Sequence, residues 1–354
     1  MGYGAHSAPG PADPLAESAA DLRSRVEAVP GALLQLSAGL GGVVAPRDPE
    51  LSFVATGIGG SRAPARVLVA SLVAAGRRAR FAPLSGLALG ERLGQKDVVC
   101  IFSQGLCPNA RMALAAASRA GQAFLFTSLT EADPRSGEAL ERFVGEGGEI
   151  VHVPPPSESR TLLRIVGPAA AILAATMFAS EVTGLPLPLP ELGGALEASS
   201  LAAAVASEGL SSSALTGSLA FVTAGAAGAF AEGLSIKWLE GLCTPEPPVW
   251  DVLEVAHGSF HAFYERPILL VALEHQLTGD ERLFDRLASL LVPERHVLLR
   301  LRARLPLPLA RLEHEVAVNA LLLRAFEASP RDLFHWPSQD KDMPLYGMDA
   351  PDQP

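Results

Sequence analysis

The sequence predicts an α/β fold with two successive doubly wound parallel sheets, each covered by helices on both faces. Short apolar runs such as LSFVAT (51–56) and DVVCIF (97–102) end in glycine-rich or polar turns and lead into helix-like segments. The same pattern returns from SLAFVTAG (218–225) onward, after a mainly helical middle. Strand, turn and helix in alternation are typical of buried parallel sheets. A chain of 354 residues has room for two such domains.

The pattern divides the chain into five parts. We predict a disordered tail over 1–14, a first domain with N-terminal helices over 15–155, connecting helices over 156–210, a second domain over 211–330, and a tail over 331–354 that packs on the body or on a partner. Pro30 interrupts the first helical segment, which predicts two short helices meeting there. His314, between two glutamates on the closing helix, is predicted to be exposed or at an interface.

Composition argues against several function classes. The formal net charge of -10 disfavours a nucleic-acid partner, which requires a basic surface. Three cysteines without metal-type spacing indicate a reducing compartment. The N-terminus lacks the features of a secretory signal, and the most apolar segment (165–178) is too short to span a membrane. We therefore expect a soluble cytoplasmic protein without a membrane or nucleic-acid partner.

Three loops follow predicted strands, at 57–62, 103–109 and 224–228, where doubly wound sheets bind ligands. In the first loop, Gly57 and Gly59 would let the backbone approach a ligand while helix N–H groups face an anion or a hydroxyl. Ser61 could donate a further hydrogen bond. A dinucleotide site is disfavoured, because Arg62 stands where that motif needs glycine and no acidic residue closes the next strand.

The second loop begins with Ser103 and Gln104, at the end of a buried strand. Both residues must face the crevice above the sheet, so they are candidates for substrate binding. The equally weighted alternative is a hydrogen-bonded turn that leads into a helix, with Asn109 as a candidate N-cap. Asn109 is also a candidate substrate-binding residue.

The segment 229–263 carries a possible acid/base constellation. Lys237 and Glu240 are three residues apart on a predicted helix and should share a face. A proline-rich turn ends this helix, and the next segment delivers Glu254 and His257. An acid, a base and a cation are what proton transfer on a polyol requires. The alternative is a charged solvent face followed by a surface histidine.

A metal site is a weaker possibility in the same segment. His257, His261 and Glu265 are spaced four residues apart, on one face of a predicted helix. A single row without a fourth ligand is more often solvated or packed than metal-bound. We expect no metal and no other cofactor.

These motifs together resemble the SIS (sugar isomerase) family. The segments VEAVPGALLQL, ATGIGGS, FSQGLCPNA and FVTAGAAGAFAEGLSIKWLE, followed by EVAHGS at 254–259, match the order of that family's helix, loop and strand motifs. The resemblance covers about residues 20–354 and is to a chain with two SIS domains, as in the isomerase domain of glucosamine-6-phosphate synthase.

The resemblance implies roles for individual residues. Glu240 matches the family's proton-shuttling glutamate, Lys237 its helix lysine, and His257 its ring-opening histidine, which reaches the site from the other subunit of a homodimer. Ser103 and Gln104 match sugar-phosphate-binding positions, and Glu254 opens the histidine loop. The implied activity is aldose–ketose isomerisation, or amino-ketose formation or cleavage, through an enediol. The alternative is a non-catalytic SIS protein that binds a sugar phosphate or a small acid.

Several positions depart from the family pattern. Gly105 and Pro108 stand where the phosphate cradle has hydroxyls, Gly59 replaces a serine, and Ser259 replaces a proline. Each lost side-chain donor to an anion should weaken binding by about 1.5–3 kcal/mol. Either Ser61, Arg62 or backbone N–H groups compensate, or the substrate carries no phosphate.

Overall fold

The computed structural model describes residues 13–40, 42–130, 137–153, 158, 160–277 and 279–346. Most of the predicted disordered tail therefore lies outside the described residues. Its last two residues begin the first helix instead, because the Asp13 carboxylate accepts a hydrogen bond from Leu15 N at 3.0 Å and caps the helix N-terminus.

Two parallel sheets form the framework. The strands are β1 (Ser52–Gly57), β2 (Arg78–Phe81), β3 (Asp97–Phe102), β4 (Gln122–Thr127), β5 (Glu149–His152), β6 (Leu219–Thr223), β7 (Val249–Asp251), β8 (Ile268–His275) and β9 (His296–Ala303). Within the described residues the first sheet has the order β2-β1-β3-β4-β5 and the second has β7-β6-β8-β9. The central strands are buried along almost their whole length, which explains their continuous apolar sequences.

Helices cover both sheets. They are α1 (Pro14–Leu36), α2 (Arg62–Ala74), α3 (Leu84–Ala88), α4 (Pro108–Ala117), α5 (Gly137–Gly145), α6 (Val166–Thr183), α7 (Leu192–Glu208), α8 (Ser212–Thr216), α9 (Gly228–Leu242), α10 (Ser259–Phe263), α11 (Glu281–Leu290) and α12 (Ala310–Ala328). This arrangement confirms the predicted α/β class. The strand order of the first sheet changes direction between β1 and β3, so the loops after these strands lie side by side.

Helix α6 is the central core helix. In the described part of the chain it is the one helix that is long and apolar enough to cross a membrane, but 78% of it is buried inside the protein. It packs against α1 and α2. A helix that is apolar on all sides and enclosed by protein is a core element.

Three details of the predicted elements are wrong. Pro30 lies inside one continuous helix, α1, whose residues Val29 and Leu33 are fully buried on either side of it. Tertiary packing thus offsets the hydrogen bond that proline cannot make. The proline-rich turn after α9 leads into a short edge strand, β7, that the sequence analysis missed. His314 is buried, with its Nε2 3.0 Å from Glu274 O, and burial lowers its pKa to about 4.

The two sheets are joined through α2 and α9, which pack closely against each other. Gly233 of α9 faces Ala63 of α2, and a Cβ on Gly233 would lie 2.4 Å from the Ala63 Cβ. No real pair of carbon atoms tolerates that distance, so the approach of the helices requires glycine. This contact brings the C-terminal end of α9 to the loops of the first sheet.

We expect Gly233→Ala to lower the free energy of unfolding by about 1–3 kcal/mol, because the added methyl group forces the helices apart. Urea unfolding measures the change. Gly31→Ala is the matched control: Gly31 is an exposed helical glycine with open space around it, so alanine there should stabilise by up to about 1 kcal/mol. Equal effects of the two substitutions would contradict the proposed close contact.

Candidate functional site

A cavity of about 300 Å³ lies at the carboxyl edge of the first sheet. Its walls come from the loops after β1 and β3, the segment before α6, the last turn of α9 and the C-terminal tail. The lining residues are Ile58, Gly59, Gly60, Ser61, Ser103, Gln104, Gly105, Cys107, Asn109, Leu162, Arg164, Pro168, Glu240 and Tyr346. The cavity therefore contains five predicted site residues around one carboxylate, that of Glu240.

The loop after β1 forms a tight turn that leads into α2. A Cβ on Gly57 would lie 2.2 Å from Ser61 O, and Gly59 has a φ of +56°, so both positions favour glycine. Ser61 occupies the N-cap position of α2 without a side-chain capping bond, and it lines the cavity. Gly57 does not line this cavity but a larger one beside it.

The loop after β3 supplies hydroxyl and amide groups. The Ser103 hydroxyl accepts a hydrogen bond from Leu106 N at 3.1 Å, and Gln104 Nε2 donates to Glu158 Oε2 at 3.4 Å. Both residues also line the cavity, so a structural role and a binding role coincide. Cys107 is the N-cap of α4, and Asn109 is the helix's second residue. The N-cap assignment of Asn109 is therefore wrong, although its side chain does line the cavity.

Glu240 lies in the last turn of α9 and is partly buried. Burial raises its pKa to about 7, and the positive charges of Arg164 and Lys237 and a hydrogen bond from the Arg164 backbone oppose the shift. A carboxylate whose pKa is near the working pH can both accept and return a proton. Perturbed carboxylates inside clefts are candidates for acid/base catalysis.

A second carboxylate, Glu158, organises one wall of the site. Its oxygens accept hydrogen bonds from the backbone N–H groups of Ile165, Val166 and Gly167 at 2.9–3.2 Å, at the N-terminus of α6. Its side chain is only 7% exposed, and Arg25 lies 3.4 Å away. A negative charge at a helix N-terminus is stabilised by the helix dipole. Glu158 thereby occupies a position that could otherwise hold a ligand anion.

Lys237 points from α9 towards α12. Its ammonium contacts the Glu315 carboxylate and donates to Asn319 Oδ1 at 3.0 Å, both on α12. The side chain is 2% exposed, and burial lowers its pKa. Lys237 does not line the cavity, so in this chain it acts on Glu240 through its charge rather than by contact with a ligand. Lys237 and Glu240 are close enough for the charge of each to shift the pKa of the other, but only Glu240 lines the cavity.

Glu254 and His257 begin and end a short 3₁₀ turn that follows β7 of the second sheet. Both are exposed, and neither lines the cavity in the same chain. The next residue, Gly258, has a φ of +128° and allows the chain to turn sharply into α10. The predicted role of His257 in a partner's site stays a prediction.

The helical row of His257, His261 and Glu265 is interrupted. His257 ends the 3₁₀ turn, His261 belongs to α10, and Glu265 follows that helix and pairs with Arg295 at 2.6 Å. Within the described ranges, no group of three or more histidine, cysteine or acidic side chains is placed to hold a metal ion.

Sequence reasoning missed three residues of the site. Glu158 and Arg164 lie in the segment between β5 and α6, which the sequence analysis predicted only as part of the connecting helices. Tyr346 comes from the C-terminal tail and lines the cavity. Burial raises the pKa of the Tyr346 phenol, together with a hydrogen bond and charge from Asp342 and the negative charge of Glu240. Its aromatic character, with a polar tip, was the one available signal.

A larger cavity of about 680 Å³ adjoins the first. The two share Ile58, Gly59 and Asn109. Its walls are mainly apolar; they include Phe81, Leu84, Met112, Ile236 and Leu239. Arg62 and Arg66 lie at its side and pair with Glu232 at 3.6 and 2.8 Å. The joined space is large enough for a ligand with a polar head and an apolar extension.

Comparison with solved structures identifies proteins of the same fold. Glucosamine-6-phosphate deaminase from Thermotoga maritima is 15% identical, with 91% of this chain and 97% of that chain covered and a TM-score of 0.68. The C-terminal domain of glucosamine-fructose-6-phosphate aminotransferase from Francisella tularensis is 11% identical, with 92% and 99% covered and a TM-score of 0.66. Tagatose-6-phosphate ketose/aldose isomerase from Escherichia coli is 13% identical, with 91% and 97% covered and a TM-score of 0.66.

These likenesses confirm the SIS-type fold that the sequence resemblance implied. No protein-family model matches the chain, and no curated protein matches its sequence. At 11–15% identity the solved structures establish the fold and leave the substrate open.

We expect Glu240 to make stability depend on pH. Between about 4.5 and 7 the unfolded chain releases the Glu240 proton while the folded chain retains it, so wild-type stability should fall relative to Glu240→Gln as pH rises through this range. The difference should reach up to about 3 kcal/mol and stay constant above pH 7. Urea unfolding of both proteins from pH 4 to 8 measures it. Parallel curves would contradict the raised pKa.

Proposed function

We propose that the protein is a SIS-type isomerase-like enzyme that transfers a proton between neighbouring carbons of a sugar or sugar-derived substrate through an enediol. The position of Glu240 carries the proposal: its carboxylate, with a pKa raised to about 7, faces a cavity lined by Ser103, Gln104 and Asn109. Hydroxyl and amide side chains suit a polyol, and the carboxylate suits the moving proton.

Each proposed step is assigned to a side chain of this chain or of a partner subunit. His257 of a partner subunit opens the sugar ring, and Glu240 then removes a proton from the carbon beside the carbonyl. The carbonyl oxygen becomes the enediol oxygen as the electron pair moves onto it, and Arg164 stabilises its negative charge. Glu240 then returns the proton to the former carbonyl carbon, while the proton of the neighbouring hydroxyl moves to the enediol oxygen and leaves the new carbonyl at the neighbouring carbon. Because Lys237 pairs with Glu315, the cationic role passes to Arg164, which lines the cavity.

Two observations support a substrate that differs from a simple sugar phosphate. Gly105 lines the cavity where the family has a hydroxyl, and the Glu158 carboxylate already occupies the N-terminus of α6. The adjoining apolar cavity supports a substrate with an apolar substituent. An amino-ketose that lacks a phosphate and whose nitrogen carries such a group satisfies all of these observations.

The proposed assembly is a cytoplasmic homodimer with shared active sites. His257 is exposed on a short turn outside its own chain's cavity, and this position supports a site shared with a second subunit. The reaction itself needs no cofactor, because proton transfer through an enediol requires only acid and base groups.

A non-catalytic binding protein is the second candidate. Two of the three predicted catalytic residues do not line the cavity of their own chain: Lys237 is engaged by Glu315, and His257 is exposed. Such a protein would bind a sugar phosphate or a small acid at Ser103 and Gln104 without turnover.

We expect Glu240→Gln to lower turnover at least a hundredfold, because removing a general base costs about 10²–10⁴ in rate. Incubation with sugar phosphates, free ketoses and amino-ketoses in deuterium oxide, followed by proton NMR at C1 and C2, measures exchange. Glu141→Gln, at an exposed site on α5, is the matched control and should retain activity. Undiminished exchange in Glu240→Gln would remove the base assignment. Saturable binding without exchange of any substrate would favour the second candidate.

We expect inactive Glu240→Gln and His257→Gln proteins to recover activity when they are mixed and allowed to exchange subunits. A shared site predicts this, because in each heterodimer one site receives both substitutions and the other receives neither. Size-exclusion chromatography confirms the dimer, and the exchange assay measures the recovered activity. If mixing restores nothing although subunits exchange, His257 acts within its own chain or has no catalytic role.

A further inference from the structure

A separate cavity of about 330 Å³ lies at the other end of α2 and α6. The C-terminal halves of these helices form two walls, and the proline-rich segments 185–188 and 306–308 form the others. Thr176 and Thr183 lie about two to four helical turns along α6 from Pro168, which lines the candidate site. That spacing is roughly 12–22 Å. The two cavities share no lining residue.

Arg311 of α12 lines this cavity and is 3% exposed. Its Nη1 donates a hydrogen bond to Ser71 Oγ at 3.1 Å, but no carboxylate of the described residues forms an ion pair with it. Its Nε is buried without a hydrogen-bond partner among the described residues, and so is Oγ1 of Thr176, which lines the same cavity from α6. The cavity thus contains an uncompensated positive charge and an unsatisfied hydroxyl.

The other buried charged side chains that the structure describes are compensated. Lys237 pairs with Glu315, Glu274 accepts from Arg300 at 2.7 Å, and Glu313 accepts from two backbone N–H groups at 2.6 and 2.8 Å. An unpaired buried charge is strongly destabilising. Burial lowers the pKa of Arg311 to about 10, so it stays charged at neutral pH. A ligand that supplies the missing negative charge would account for the buried, unpaired guanidinium of Arg311.

We propose that this cavity binds a small organic monoanion, a carboxylate attached to a hydrocarbon body. The guanidinium presents planar donors that match a carboxylate, and its single charge balances one negative charge. Alanine, leucine and proline side chains from all four walls give the hydrocarbon body an apolar surface. The volume is at the lower end of the range of small-molecule sites. The proposal does not depend on the reaction at Glu240.

Thermal unfolding and isothermal titration calorimetry test the site with benzoate, hexanoate, acetate, phosphate and chloride at matched ionic strength. Benzoate or hexanoate should raise the Tm of the wild-type protein saturably, and more than acetate, phosphate or chloride does. Arg311→Met should weaken carboxylate binding at least tenfold and, without ligand, should unfold at an equal or higher temperature than wild type. Thr176→Val should weaken binding less and gives a second variant if Arg311→Met does not fold.

Arg324→Met is the matched control, because Arg324 lies on the same helix and its exposed side chain pairs with Glu327 at 3.5 Å. It should bind the carboxylates as wild type does. Three outcomes would overturn the proposal: no carboxylate binding that depends on Arg311 and Thr176, equal stabilisation by chloride or phosphate, or a dimer that Arg311→Met dissociates while no carboxylate binds. The last outcome would assign the missing anion to a partner subunit.

Discussion

The buried carboxylate of Glu158 is the interaction on which the candidate site depends. It accepts hydrogen bonds from the first N–H groups of α6, lies beside Arg25 of α1, and accepts from Gln104. A Cβ on Gly167 would lie 2.0 Å from Gln104 Nε2, so the loop and the helix meet with no spare space. One acid therefore fixes the helix and the loop, and its negative charge adds to the burial that raises the pKa of Glu240. The site is organised by the protein's own anion before any ligand arrives.

Much of the fold could be predicted because it depends on local patterns. Strands such as β3 are buried on both faces, and a continuous apolar run followed by a polar turn is visible in the sequence. The prediction that Pro30 breaks the helix was wrong because the burial of its neighbours Val29 and Leu33 stabilises α1. The helices that bury them lie far away in the sequence. Strand β7 has three half-buried residues, too few for any periodicity to appear.

Part of the candidate site could also be predicted from local sequence, and part could not. Ser103 and Gln104 could be placed because the end of a buried strand leaves few directions for the chain. The environment of Lys237 could not be predicted, because it is set by Glu315, 78 positions later in the chain. Residue spacing along one helix does not reveal where a distant carboxylate will pack. Glu158 was missed for a related reason: most of its hydrogen bonds come from backbone N–H groups, which carry no sequence signal, and its side-chain partners Arg25 and Gln104 lie far from it in the sequence.

The C-terminal tail has a practical consequence for recombinant work. Tyr346 lines the smaller cavity and Leu345 the larger one, so the last described residues belong to the walls of the candidate site. A tag or fluorescent protein fused directly after Tyr346 would therefore be tethered beside the cavity and compete with a ligand for access. A tag fused directly before Asp13, the N-cap of α1, adds nothing next to these walls, because no residue of α1 lines either cavity. Purification and labelling schemes should therefore start from the N-terminal end.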